Sequence, residues 1–147
     1  MVEITKLIST FSCGVFFGAA LYISLVQHPA ALETGNEFAV RFFRPMYRRA
    51  AVLQATLAIV ACLNGIVSWV GGAGDLWLSS AILIGTIVPF TLIVIKPVND
   101  ALLHNGDAAL EPGSLLKRWG SLHWARTIAS ALAFLLCLIA FMSRAQA

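Results

Sequence analysis

Trp119, His123 and Arg126 follow one another at offsets of four and seven residues. On a helix advancing about 100° per residue these offsets nearly overlay, so a ring, an imidazole and a guanidinium share one narrow stripe. Gln27 and His28 at the end of the first apolar run, and Lys96 and Asn99 after the third, belong to the same end of the chain's folded form. These residue types suit one kind of chemistry. Imidazole exchanges protons near neutral pH, so the polar end offers acid-base groups. Ionisable groups near membrane depth are costly and usually face a bundle interior or a water-filled cavity, so the stripe is expected to line a pocket.

Two other readings compete with this one. Arginine and tryptophan at the start of a span are routine interfacial anchors, and a histidine there can simply meet headgroups. Alternatively, His28, His104 and His123 supply three imidazoles, enough for a metal with open positions, although the chain contains neither an HxxxH nor an HxxE pair. Cys13, Cys62 and Cys137 each lie inside an apolar run without CxxC spacing, which reads as small buried thiols at helix contacts.

The elements that position the stripe follow from composition. Hydrophobic residues make up 59% of the 147-residue chain and charged residues 12%, against the roughly one quarter that covers a water-facing surface. Four apolar runs, at about 7–26, 50–70, 76–95 and 124–142, each have the length that crosses about 30 Å of hydrocarbon at 1.5 Å per residue. The expected architecture is all-α, a transmembrane up-down-up-down four-helix bundle forming one membrane domain over 1–147. The first run is too long for a signal peptide's apolar region and is followed by Gln27-His28-Pro29 instead of a small-residue cleavage site.

Gly71-Gly72-Ala73-Gly74 makes a tight connection, with Asp75 expected to cap a helix from near Leu76. Pro89 removes a backbone donor and frees the Gly85 carbonyl, so a kink is expected there, repaired by Thr86 or Thr91. Gly14 and Gly18 form a GxxxG pair, a close-packing signal for a helix of the same bundle or for a second copy in a homo-oligomer. The segment 27–49 mixes Arg41, Arg44, Arg48 and Arg49 with Phe38, Phe42, Phe43, Met46 and Tyr47, which suits a headgroup zone. The other long connection, Lys96 to His123, has turn signals at Gly106, Pro112 and Gly113.

Basic residues are unevenly divided. Arg41, Arg44, Arg48, Arg49, Lys96, Lys117, Arg118 and Arg126 lie on the side of the long loops, and Lys6 and Arg144 on the other. The positive-inside rule puts the long loops in the cytoplasm and both termini outside, in a plasma (inner) membrane. The net charge of +3 is thus read as a topology signal, and nucleic acid is not an expected partner.

The stretches Val88-Pro89-Phe90-Thr91, Lys96-Pro97-Val98-Asn99-Asp100-Ala101-Leu102, Leu115-Leu116-Lys117-Arg118-Trp119 and His123-Trp124-Ala125-Arg126-Thr127 resemble the anthrone oxygenase-like family of small four-span membrane proteins. The carrying pattern is Pro-x-Asn, then a Trp, then a helix-opening His-x-x-Arg; Tyr22 and the His28-Pro29 end of the first span also fit. The resemblance covers nearly the whole chain. It implies oxidation of an anthrone to an anthraquinone by O₂ in aromatic polyketide metabolism, with no organic cofactor. By that analogy His123 is the base, Asn99 and Arg126 hold the phenolate, and Trp119, Tyr22 and His28 contact the flat substrate. A binding or accessory protein for a quinone or similar lipophile would use the same pocket without proton transfer. A transporter fits less well, since no repeat or pair of broken helices is present.

Overall fold

The computed structural model describes residues 1–103 and 111–144, so His104 and Gly106 lie outside the described residues. Among the described residues, four helices are long and apolar enough to cross a membrane: α1 (Val2–Glu33), α2 (Asn36–Ala73), α3 (Asp75–Leu103) and α4 (Pro112–Ser143). Each packs against its two neighbours in chain order, and α1 closes the ring against α4. The bundle is an up-and-down one, and no strand occurs among the described residues.

Its polarity is reversed relative to a water-soluble domain. Phe11, Val52, Leu63, Val67, Ile82, Ile93 and Leu132 are exposed on the outside, whereas Ser9, Ser12, Gln54, Ser80, Asn99, His123, Arg126, Thr127 and Ser130 are buried. Lipid solvates the first set at no cost, and the second finds hydrogen-bond partners only in the interior. Lys6 belongs to this inner set. Counted from sequence as a charge on the side opposite the long loops, it is buried, paired with Glu3 at 2.6 Å and lying over the Phe141 ring at 5.3 Å.

The helices overrun the apolar stretches read from sequence. At 29 to 38 residues they exceed the roughly 20 that span hydrocarbon. The segment 27–49 is accordingly not an extended connection: α1 runs to Glu33, Gly35 turns the chain at φ +103°, and α2 begins at Asn36. Arg44 donates to the Leu103 carbonyl and ties the start of α2 to the end of α3.

At the opposite end the glycine turn is as expected, with Gly72 and Gly74 at φ +80° and +100°, which only glycine adopts without strain. Asp75 is not its cap. Gly74 occupies that position, and the Asp75 carboxylate accepts from Trp69 Nε1 at 3.1 Å.

Prolines shape the other end. A proline ring presses on the carbonyl four residues earlier, and a wide π-type turn relieves that pressure. Pro29 faces Leu25 in the π turn Ile23–Gln27, and Pro97 faces Ile93 in the π turn Thr91–Ile95. The widening in α3 therefore accompanies Pro97 more than Pro89, later than expected. Neither threonine bonds the Gly85 carbonyl: Thr86 donates to Leu83 O at 2.9 Å and Thr91 to Ile87 O at 2.7 Å.

Small residues set the helix spacing. A Cβ on Gly65 would lie 3.0 Å from Ala81 Cβ and 3.2 Å from the Trp77 carbonyl, and one on Gly14 would lie 3.0 Å from the Phe134 ring. Gly18, the other half of the GxxxG pair, faces open space. Gly65→Val should lower stability by about 1–3 kcal/mol through overpacking, while Gly18→Ala should not. Thermal unfolding of both variants in detergent tests this, and equal midpoints would contradict the close approach.

Candidate functional site

Two apolar clusters divide the interior. One, around Phe16, Ala58, Trp77, Ile84 and Cys137, fills the half nearer the glycine turn; the other, around Ile23, Phe43, Ile95, Leu116 and Trp119, fills the half with the prolines. Between them lies a cavity of about 130 Å³ whose walls include Phe16, Tyr47, Gln54, Trp119, His123 and Arg126.

Helix periodicity brings the stripe together as the sequence suggests. Trp119, His123 and Arg126 are each buried and each line the cavity. The Trp119 and His123 rings stack at 4.8 Å between centroids, and the edge of Phe43 meets Trp119 at 5.2 Å. Trp119 Nε1 donates to Asn99 Oδ1 at 2.8 Å. Trp119 is thus clamped in orientation by α2 and α3.

The other expected residues occupy different positions. Asn99 is buried against Trp119 and is not among the residues that line the cavity; its Oδ1 holds the indole N–H, and its Nδ2 has no protein partner. His28 stands behind the same indole, 5.1 Å from it, against a Gly120 that leaves room for its ring. Tyr22 is not at the site at all. It is 57% exposed, because the inward positions of that turn are taken by Ala20, Ile23 and Ser24. His104 lies outside the described residues, and among the described residues no three His, Cys, Asp or Glu side chains converge as metal ligands.

Structure adds residues that the spacing did not single out. Ser24, swung inward by the π turn, has its Oγ 2.9 Å from His123 Nδ1 and 2.9 Å from Thr127 Oγ1. Thr127 in turn donates toward the carbonyls of Ala20 and His123 at 3.4 and 3.3 Å. Nδ1 is thereby engaged by the protein, which leaves Nε2 as the ring nitrogen for a molecule in the cavity.

Gln54 is the second addition. Its Oε1 accepts from Arg126 Nη2 at 2.6 Å, while Gln54 Nε2 and Arg126 Nε have no protein partner. Arg126 is 9% exposed, sits over the Phe16 ring at 5.7 Å, and pairs with no carboxylate among the ion pairs of the described residues. A buried cation beside unpartnered N–H donors forms a site for an oxyanion. A polar residue interrupting an apolar span was the available signal for Gln54.

The sequence model of the anthrone oxygenase family matches residues 43–136. The chain belongs to the anthrone oxygenase family. Gln54, Asn99, Trp119, His123 and Arg126 all fall inside the matched segment, whereas Ser24 and His28 precede it. Anthrone oxygenase tpcL of Aspergillus fumigatus is 28% identical over 139 residues, covering 86% of each chain. No solved structure matches this family member.

The geometry separates stability from site function. Gln54→Ala would leave the buried Arg126 with one partner fewer and should destabilise the bundle by about 1–3 kcal/mol. Arg126→Met removes the buried charge but strands Gln54 Oε1, so its cost should not exceed that of Gln54→Ala. Unfolding in detergent compares them; a larger loss for Arg126→Met would show that the guanidinium is a structural tie.

Proposed function

We propose that this anthrone oxygenase family member is a membrane-embedded oxygenase that converts a flat, lipophilic, anthrone-like aromatic to the quinone with O₂, in aromatic polyketide metabolism. The observation that carries the reading is the pairing of an imidazole, His123, with a buried cation, Arg126, side by side on one wall of the cavity. Deprotonating the methylene of an anthrone makes an electron-rich anion whose charge resides largely on the former carbonyl oxygen. His123 Nε2 takes the proton. Arg126 and Gln54 Nε2 receive the oxyanion, and Trp119 and Phe16 contact the ring faces.

The polarity needed of His123 is Nδ1–H to Ser24, Ser24 O–H to Thr127, and Thr127 O–H to a backbone carbonyl, which keeps the Nε2 lone pair directed at the substrate. The anion then gives one electron to O₂, and the resulting radical pair combines to a C–O bond at the former methylene. Protonated His123 returns its proton to the distal oxygen as the O–O bond breaks. Loss of the second C–H hydrogen leaves the new carbonyl and one water, so each O₂ oxidises one methylene. O₂ is the co-substrate and the scheme uses no organic cofactor.

We further propose that the arginine-rich end lies in the cytoplasm of a plasma (inner) membrane with both termini outside, on the asymmetry of Arg41, Arg44, Arg48, Arg49, Lys117 and Arg118 against the opposite end.

Oxygen uptake by the detergent-purified protein with an anthrone, against a boiled control, tests the reading. His123→Gln should lower the rate by about 10²–10⁴, and Arg126→Met by about 10²–10³. An unchanged rate in His123→Gln removes the base assignment, and uptake abolished by chelator replaces this scheme with the metal reading at His28, His104 and His123. Saturable binding of an aromatic with no uptake favours the binding-protein alternative.

A further inference from the structure

The cavity of about 130 Å³ is smaller than the roughly 150 Å³ that accommodates one benzene in an enclosed protein cavity. A molecule of three fused rings occupies it only by protruding through an opening. The opening is the seam between α2 and α3, where Ala51 and Ala55 form one lip and Val88 and Leu92 the other. Ala55 and Leu92 line the cavity and are also exposed on the outer surface.

The seam is open here for a structural reason. Toward the glycine turn the two helices are in close contact, with Gly65 against Ala81 and Cys62 Sγ against Gly85. Beyond Pro89, α3 enters its π turn, while α2 presents mostly methyl groups that do not fill the gap. Ala55 lies about 8 Å along the helix from Ala50, where the apolar stretch of α2 begins, so the window opens just below the headgroups. Amphipathic aromatics concentrate at that depth. Directly behind it stand Gln54 and Arg126, both more than nine-tenths buried and each with an unpartnered N–H.

We propose that this seam is a lateral portal and specificity window. The aromatic enters from the bilayer between α2 and α3, one ring reaches His123 and Arg126, and the remaining rings rest between Ala51, Ala55 and Leu92. The inference rests on the aromatic substrate class proposed above. Two other clefts share wall residues with the cavity. The one between α1 and α2, about 440 Å³, carries Arg49 and Gln27 and opens at the arginine-rich end. The one between α3 and α4 carries Arg126 in its wall. The α2–α3 window has no charged group at either lip, which suits a solute arriving from lipid.

Equilibrium binding in phosphatidylcholine vesicles tests the window, because it depends on where the rings rest and not on catalysis. The ligands are a hydroxylated anthraquinone and a one-ring phenol, read by quenching of intrinsic tryptophan fluorescence. Ala55→Phe and Ala51→Phe fill one lip, and Leu92→Trp, at a lipid-exposed position, fills the other without crowding the core. Each should weaken anthraquinone binding about tenfold or more while changing phenol binding by less than about threefold. Leu92→Trp alone carries the test if the alanine variants fail to fold, as judged by gel filtration.

Unchanged anthraquinone affinity in the folded variants overturns the window, as does failure of the wild type to bind anthraquinone. Loss of affinity in Arg49→Gln with both lips insensitive also overturns it and assigns the route to the α1–α2 cleft. A wild type that binds anthraquinone with lip-dependent affinity yet consumes no oxygen with an anthrone retires the oxygenase reading and leaves the window standing.

Discussion

The bundle is organised around one guanidinium that has no carboxylate partner among the described residues. Holding Arg126 at the junction of two apolar clusters costs several kcal/mol of lost hydration. That cost is only partly offset by Gln54 and the face of Phe16. The surroundings read as a response to this charge. The adjacent space is left unfilled, the neighbouring donors are left unpaired, and the polar groups that could neutralise it are kept away. Lys6, Arg41 and Lys96, by contrast, each have an acidic partner one helical turn away. An interior polar group without such compensation marks a position where stability has been given up for something else.

Much of this was legible in the chain itself. Runs of about twenty apolar residues identify spans because lipid tolerates little else, and the helical repeat places Trp119, His123 and Arg126 on one face whatever their partners are. What the repeat does not specify is depth behind that face. Asn99 and His28 both converge on Trp119 but are not among the residues that line the cavity, a distinction set by the π turns after which each residue follows. Tyr22 was misjudged for a related reason. Its aromatic type suggested stacking, yet the wide turn gives the inward positions to Ile23 and Ser24. Helix ends were the other blind spot, since α1 and α2 continue into the arginine-rich zone and meet at a glycine turn where composition suggested a looser segment.

The two π turns do more than relieve prolines. Both occur at the same end of the bundle, in helices that run in the same direction, and between them they bring Ser24 to His123 and turn Asn99 toward Trp119. The catalytic candidates on α4 are therefore oriented by irregularities in α1 and α3, while α4 itself is a regular helix. A regular helix supplies spacing; its irregular neighbours supply the partners that restrict ring tautomer and tilt.

Gly120 links residues that sequence would treat as independent. A methyl group there would approach His28 Nε2 to 2.7 Å, so the two positions compete for the same volume. Enlarging one obliges the other to shrink, and since His28 lies against the indole at the cavity wall, any such exchange would be transmitted to the tilt of that wall. The shape of the chamber is thus partly set by a missing side chain on the helix face behind it.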